Sequence, residues 1–139
     1  MAAEELKELK AANIMTKRLV KVRDTDSVLD AVKKMYLSNI GAIIIVDKND
    51  KITGIFTERD ILRRIVPQGL KIKKIKISAV MTKDPSVVTS DTPVVNIFQL
   101  MRDLTVRHVP IVDNNKLVGI VSITDIAAVC MKLLKVKSE

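Results

Sequence analysis

The stretch GIFTERDIL, residues 54–62, is followed later in the chain by GIVSITDIA, residues 119–127. In both, a glycine leads into two apolar residues, a small hydroxyl residue, two variable residues, an aspartate and an isoleucine. A sequence that repeats itself indicates a fold built from repeated structural units. Two copies of one motif in 139 residues therefore predict a duplicated fold.

The repeat extends upstream of the motif in both copies. NIMTK at 13–17 matches AVMTK at 79–83, and DSVLDAVKKM at 26–35 matches TPVVNIFQLM at 92–101. Each longer segment carries apolar residues at the spacing i, i+3, i+4, i+7, which predicts an amphipathic helix with one buried face. The two apolar stripes are Val28, Ala31, Val32 and Met35, and Val94, Ile97, Phe98 and Met101.

Two apolar runs joined by a short polar turn follow each of these helices, at 41–56 and at 107–121. This arrangement predicts two adjacent antiparallel strands connected by a hairpin. Apolar positions after each motif then predict a second helix, which Pro67 and Gly69 end in the first copy.

The predicted fold class is therefore α/β (α+β), with two pseudo-symmetric repeats of order β-α-β-β-α. About sixty residues bury too little surface to be stable alone, so we expect the repeats to pack through their sheets around one core. The Lys-rich linker should fold onto the body through its apolar residues Leu70, Ile72, Ile75 and Ile77. The predicted segments are an N-terminal helix at 1–12, the first repeat at 13–66, the linker at 67–78, the second repeat at 79–135 and a tail at 136–139.

The composition narrows the class of protein. Aromatic residues make up only 2% of the chain, which argues against modules that stack bases on aromatic side chains. A single cysteine, Cys130, allows no disulfide within the chain and fits a reducing compartment. The N-terminus lacks the apolar region of a signal peptide, and no apolar run is long enough to span a bilayer. These features predict a cytoplasmic protein without a membrane segment.

The net charge of +8 has two open interpretations. A basic surface attracts polyanions, so a nucleic-acid partner is one of them. The other is a solvated, Lys-rich surface of the kind found in thermophile proteins. Lysines cluster at 71–76 and 132–137, but no helix-turn-helix, zinc-finger or RNA-recognition pattern accompanies them.

The repeated Thr57-x-x-Asp60 and Ser122-x-x-Asp125 motifs also have two interpretations. They match a capping box, in which the hydroxyl and the acid each satisfy a free N–H group at a helix start. Alternatively, a helix N-terminus suits a phosphate, and a carboxylate in its first turn can accept hydrogen bonds from ribose hydroxyls. The residues alone leave both interpretations open.

Catalysis and metal binding find little support. The chain has one histidine, His108, and no phosphate-binding P-loop, dinucleotide fingerprint or nucleophile elbow. No set of His, Cys and carboxylate residues at metal-binding spacing surrounds His108. We expect neither an enzyme nor a metal site, and we expect Cys130 to be inert packing.

Taken together, the repeated features resemble a tandem pair of cystathionine β-synthase (CBS) domains, the arrangement known as a Bateman module. The resemblance covers nearly all of residues 13–131. It rests on the IMT and VMT lead-ins, the helix before the hairpin, RHVPIVD, and the motif present twice. It implies a regulatory sensor that binds AMP, ADP or ATP, with S-adenosylmethionine possible, and modulates an unidentified partner protein. A scaffold with empty clefts is the remaining alternative.

The resemblance also implies two ligand clefts between the repeats. In one, Asp60 would hold ribose, Thr57 would lie near the phosphate or ribose edge, and Arg59 could touch phosphate. Val80 and Met81 would flank adenine there. The residues expected to meet the phosphate are Arg107 and His108, with the neighbouring Pro110.

In the other cleft, Asp125 would hold ribose, with Ser122 and Thr124 near the phosphate. The residues expected to line the base are Ile14, Met15 and Thr16. The first repeat carries Gly41 and Ala42 where the second carries Arg107 and His108. We therefore expect unequal clefts, with the Asp60 cleft preferring the more highly charged nucleotide.

A homodimer is expected as well. Residues 126–131 are apolar around the whole helix, whereas a single core-facing stripe needs about half of those positions. The remainder should pack on a second subunit, and CBS-like modules pair through the helices that correspond to 58–66 and 123–135.

Overall fold

The computed structural model describes residues 2–138, and it describes side chains as far as Lys135. The predicted tail at 136–139 is helical as far as Ser138, and its last residue lies outside the described range. The helices are α1 (Ala2–Glu8), α2 (Ala11–Ile14), α3 (Val28–Ser38), α4 (Glu58–Asp60), α5 (Val94–Leu104) and α6 (Ile123–Ser138). The strands are β1 (Lys21–Arg23), β2 (Ala42–Val46), β3 (Ile52–Thr57), β4 (Thr82–Lys83), β5 (His108–Asp113) and β6 (Lys116–Ser122). A π-helical turn (Ile61–Ile65) follows α4, and a 3₁₀ turn (Ile77–Ala79) precedes β4. The mixed α/β class predicted from the sequence is confirmed.

The chain divides into two compact units. The first unit is Val20–Pro85, and the second is Met1–Leu19 together with Ser86–Glu139. Each unit contains the helices and strands of one repeat together with the lead-in of the other repeat. The lead-in at 79–83 lies in the first unit, and the lead-in at 13–17 lies in the second. The buried residues form two clusters, one in each unit, and the exchanged lead-ins contribute to both: Val80 and Met81 belong to the first, and Ile14 and Met15 pack against the second. The packing of the two repeats around one core stays a prediction.

In the first unit, the sheet has the order β1-β2-β3-β4. Strands β1 and β2 are parallel, while β2 pairs with β3 and β3 with β4 in antiparallel fashion. Three members of the predicted apolar stripe of α3, Val28, Ala31 and Met35, are buried, and Val32 packs partly buried against them. The predicted helix and hairpin are thus both present.

In the second unit, β5 and β6 form an antiparallel pair. Isolated bridges add Val88 beside Ile111 and Thr16 beside Ile120, which reproduces the order of the first sheet in a shorter form. Helix α5 buries Val94, Ile97 and Met101. The fourth predicted member of that stripe, Phe98, is 40% exposed because it lies at the edge of a face centred on the other three.

The linker folds onto the first unit as predicted. Leu70, Ile72 and Ile75 are partly buried against the core, and Ile77 is fully buried. The linker also completes the start of α3, because Val28 N donates a hydrogen bond of 2.9 Å to Ile75 O. The first N–H groups of a helix have no acceptor inside the helix, so this carbonyl replaces one.

The N-terminal segment does the same in the second unit. Val94 N, at the start of α5, donates a hydrogen bond of 2.9 Å to Leu9 O. Leu6 and Leu9 pack partly buried against the core, and Ala11 is fully buried. The segment predicted as a separate helix at 1–12 is therefore the structural counterpart of the linker.

The helix predicted at 58–66 is not a regular α-helix. After the three residues of α4, the chain forms a π-helical turn, in which Val66 N donates to Ile61 O at 3.0 Å. This turn buries Ile65 but leaves Leu62 and Val66 exposed. Single π-helical turns occur frequently at functional sites.

Candidate functional site

The first-unit motif joins the end of β3 to the start of α4. Thr57 N donates a hydrogen bond of 2.9 Å to Asp60 Oδ2, and Thr57 Oγ1 contacts the same oxygen at 3.3 Å. Asp60 is 9% exposed, and among the described side chains it is the only charged one in the buried class. Its carboxylate therefore caps the helix, as the capping interpretation required.

The second-unit motif forms a reciprocal capping box at the start of α6. Ser122 N donates to Asp125 Oδ2 at 2.8 Å, and Asp125 N donates to Ser122 Oγ at 3.1 Å. Each bond satisfies an N–H group that the helix itself leaves free. The other carboxylate oxygen of Asp125 accepts no hydrogen bond from the residues that the structure describes, so it can still accept one from a ligand.

Arg64 adds a cation to the first-unit motif. Its Nε lies 3.5 Å from Asp60 Oδ1. Its Nη1 donates hydrogen bonds to the carbonyl oxygens of Val80 at 3.1 Å and of Met81 at 3.0 Å. Arg64 was not predicted as a site residue, although an Asp and an Arg four positions apart on a helix are a recognised pairing signal.

The predicted adenine-flanking residues lie beside the strands that carry the motifs. In the first unit, Val80 and Met81 are each 7% exposed, and the Met81 side chain lies against Gly54 of β3. In the second unit, the Met15 side chain lies against Gly119 of β6. The two lead-ins are therefore placed equivalently.

The other residues predicted for the Asp125 cleft also lie in the second unit. Thr16 and Ile120 exchange backbone hydrogen bonds of 2.9 and 3.1 Å, two residues before Ser122. Ile14 packs partly buried against the core, and Thr124 is exposed in the first turn of α6. The second unit thus contains all six residues that the sequence assigned to the Asp125 cleft.

The predicted phosphate-contacting residues lie in the second unit, next to the Asp125 motif. Ile123 N donates to Arg107 O at 2.9 Å, and His108 pairs with Ser122 across the strands. Pro110 is fully buried in β5, and its carbonyl accepts a bond of 3.2 Å from Val88 N. The assignment of these residues to the Asp60 cleft stays a prediction.

The corresponding place in the first unit carries an acid. Glu58 N donates to Gly41 O at 3.0 Å, which makes Gly41 the counterpart of Arg107. A Cβ at Gly41 would lie 2.6 Å from Glu58 Oε1, so the Glu58 carboxylate occupies the space beside it. Arg59, the remaining predicted residue of this motif, is exposed in α4. The two motifs therefore differ in the charge beside them.

Outside the two motifs, the other candidates for a site are clusters of metal-ligating side chains and carboxylates with a shifted pKa. Among the described residues, no group of three or more His, Cys, Asp or Glu side chains could hold a metal ion. Hydrogen bonds from Lys51 and Asn49 lower the pKa of Asp47, and hydrogen bonds from Ser90 lower the pKa of Asp113. The shift of Asp47 reflects the hairpin turn that it caps, and the shift of Asp113 reflects its contact with Ser90 in the loop before α5.

Comparison with known proteins identifies the family. The sequence profile of the CBS domain matches residues 11–67 and 77–132. The chain therefore belongs to the CBS domain family, whose paired domains form regulatory modules. The resemblance seen in the sequence is confirmed.

Individual relatives agree with this assignment. The mitochondrial CBS domain-containing protein CBSX3 of Arabidopsis thaliana is 40% identical over 105 residues, which is 73% of this chain and 51% of the relative. The chain thus spans about half the length of that relative. An uncharacterized conserved protein from Pyrococcus horikoshii has a similar structure, with a TM-score of 0.82 and 26% identity over 88% of this chain and 92% of that one.

A second similar structure comes from a larger protein. The hexameric CBS-CP12 protein from bloom-forming cyanobacteria has a TM-score of 0.80 and 30% identity, covering 86% of this chain and 66% of that one.

In the part of the chain that the structure describes, no helix combines the length and the apolar character needed to cross a membrane.

Proposed function

We propose that the chain is a regulatory module that binds an adenosine ligand, AMP, ADP or ATP, and thereby modulates a partner protein. S-adenosylmethionine is the other ligand of this class. The observation that carries the proposal is the gathering, within the second unit, of all six residues predicted for the Asp125 cleft. In the second unit, Ser122 and Asp125 form the start of α6, while Met15 packs against Gly119 of β6 and Thr16 pairs with Ile120.

The chemistry of this arrangement suits a nucleoside phosphate. The start of α6 offers the positive end of a helix dipole to a phosphate, although Ile123 N and Asp125 N are already hydrogen-bonded within the chain. The Asp125 carboxylate can accept charge-assisted hydrogen bonds from vicinal ribose hydroxyls, which are stronger than neutral ones. The apolar Met15 side chain offers adenine a surface. Each group binds or orients a ligand, and none supplies a nucleophile or an acid–base pair, so the proposal includes no catalysis.

Native mass spectrometry of freshly purified protein tests the proposal. A bound mass equal to an adenine nucleotide would support it. Calorimetric titration of the stripped protein with AMP, ATP and S-adenosylmethionine would then rank the ligands, with GMP as the control for the base. A protein that binds none of them has clefts that serve only as a scaffold, and this would contradict the proposal.

Nucleic-acid binding is a second candidate, supported by the charge of the linker. The linker carries four exposed lysines, whereas the equivalent positions of the N-terminal segment carry two glutamates and two lysines. The two segments have the same structural role in their units. The fold therefore does not require four lysines there. The linker residues are Lys71, Lys73, Lys74 and Lys76, and their counterparts are Glu5, Lys7, Glu8 and Lys10. A steep fall of DNA or RNA affinity with salt would support this candidate.

We also propose a homodimer. Leu62 and Val66 are 67% and 62% exposed on the π-helical turn, and Met131 and Leu134 are 55% and 57% exposed on α6. Large exposed apolar side chains gathered on a helix are typical of an interaction surface. A hexameric structural neighbour is consistent with assembly in this family.

A further inference from the structure

The carboxylate of Asp60 is already engaged within its own unit. Its Oδ2 accepts from Thr57 N at 2.9 Å, and its Oδ1 lies 3.5 Å from Arg64 Nε. The group proposed to receive ribose hydroxyls therefore has an internal partner on each oxygen.

The lead-in of the first unit is engaged by the same side chain. Arg64 Nη1 donates to the carbonyls of both Val80 and Met81, the two residues predicted to flank adenine. One guanidinium thus contacts the proposed ribose-binding group and the proposed adenine-binding segment together. The fixed fork of an Arg side chain suits such multiple hydrogen bonding.

In the second unit, the position that Arg64 holds relative to the motif carries no cation. When the two motifs are aligned on Asp60 and Asp125, the position of Arg64 is taken by Val129. A valine cannot donate a hydrogen bond, so the counterpart of the Arg64 contact is missing there. The repeat thus contains its own control: the same motif is present with and without the internal cation.

From this difference, and resting on the proposed function, we infer that Arg64 closes the first-unit site and that the resting chain binds one adenosine ligand, at Asp125. A ligand can occupy the first-unit site only when the Arg64 side chain leaves Asp60 and the two carbonyls. Arg64 is 47% exposed, so it can move into solvent without unfolding the unit. Arg64 is therefore a residue that sets the number of ligands bound.

Calorimetric titration with AMP of the parent, Arg64→Val and Arg64→Val/Asp60→Ala tests this inference. The substitution gives the first unit the residue type that the second unit already has. The parent should bind one AMP per chain, Arg64→Val should bind two, and the double variant should return to one. A parent that binds two AMP molecules per chain, or an Arg64→Val variant that still binds one, overturns the inference and leaves the proposed function intact. Absence of AMP binding in all three proteins overturns both.

The reverse substitution keeps the test decisive if Arg64→Val fails to fold. Val129→Arg introduces the cation four positions after Asp125, where it should weaken the single site of the parent by at least about tenfold, the cost of losing charge-assisted hydrogen bonds to the ligand. Val129→Met is the matched control, because it adds length without charge and should bind AMP like the parent. Equal AMP affinity of Val129→Arg and Val129→Met overturns the inference.

Discussion

The Met15 side chain lies directly against Gly119, and a Cβ at position 119 would come within 2.6 Å of the Met15 Sδ atom. The same position would lie 3.1 Å from the carbonyl oxygen of Thr16. Gly54 has the same relationship to Met81 and Thr82 in the first unit. The glycine that begins each repeated motif is therefore explained by close packing of the lead-in.

Gly119→Ala should destabilise the protein by about 1–3 kcal/mol, the usual cost of overpacking a tight contact. Urea unfolding followed by circular dichroism measures the change. Gly119→Ala should cost less stability in a Met15→Ala background than in the parent, because the contact with the Met15 sulfur is then absent. Some cost should persist, because the Thr16 carbonyl remains close to the new Cβ. A Gly119→Ala variant as stable as the parent would contradict the packing described here.

Local periodicity explains which parts of the fold could be predicted from the sequence. The stripe of Val28, Ala31 and Met35 and the paired apolar runs of the hairpins follow from spacing alone, and the structure contains both. The apolar residues of the linker followed from the same reasoning. These elements were predictable because their residues are neighbours along the chain.

The features that the sequence did not reveal depend on distant contacts. The apolar spacing at 61–66 predicted a regular helix instead of the π-helical turn at Ile61–Ile65, and the bonds from Arg64 to Val80 and Met81 join residues far apart in the sequence. The equivalence of the N-terminal segment and the linker did leave a signal. Leu6, Leu9 and Ala11 have the same spacing as Ile72, Ile75 and Ile77, but the difference in charge obscured it.

Stability should fall at acid pH partly because of Asp113. Hydrogen bonds from the Ser90 hydroxyl and backbone N–H lower its pKa below the ordinary value of 3.8. The unfolded carboxyl group therefore binds a proton more readily than the folded one. The contribution is present above about pH 3.8 and is lost as the pH falls through the lower folded pKa.

Urea unfolding of the parent and Asp113→Asn between neutral and acid pH measures this effect. The asparagine keeps an oxygen that can accept from Ser90 N, but it does not titrate. The stability of Asp113→Asn relative to the parent should therefore improve as the pH falls below 3.8. A constant difference between the two proteins across that range would show that Asp113 makes no contribution.

The linker lysines should be dispensable for folding. Lys71→Glu/Lys74→Glu gives the linker the charge pattern of the N-terminal segment and should change the free energy of unfolding by no more than about 0.5 kcal/mol, as is usual for exposed positions. Ile77→Ala, at a fully buried position, should cost about 2–5 kcal/mol in the same measurement. A large loss of stability in the charge variant would show that the lysines are structural. In that case their excess over the N-terminal segment would no longer support nucleic-acid binding.

Assembly should depend on α6. Met131→Glu/Leu134→Glu places two charges on the exposed apolar positions and should convert the proposed dimer into a 15.5 kDa monomer in sedimentation equilibrium. Leu37→Glu is the control, because Leu37 is 80% exposed on another helix and should leave the mass unchanged. A parent that sediments as a monomer at micromolar concentration would contradict the dimer.

The central claim is that Asp125 binds a ligand in addition to capping a helix. Asp30 provides a matched control, since it caps α3 in the same way: Ser27 N donates to its Oδ2 at 3.3 Å, and Asp30 N donates to Ser27 Oγ at 3.1 Å. Asp125→Ala and Asp30→Ala should each lose about 0.5–2 kcal/mol of stability as caps.

Calorimetric titration of AMP into the parent, Asp125→Ala and Asp30→Ala is the most direct test of the account. Asp125→Ala should bind AMP about ten- to a hundredfold more weakly, because the charge-assisted hydrogen bonds to ribose are lost. Asp30→Ala should bind AMP like the parent. If both variants melt at a lower temperature and both bind AMP with the parent's affinity, the repeated aspartate is only a helix cap and the account is wrong.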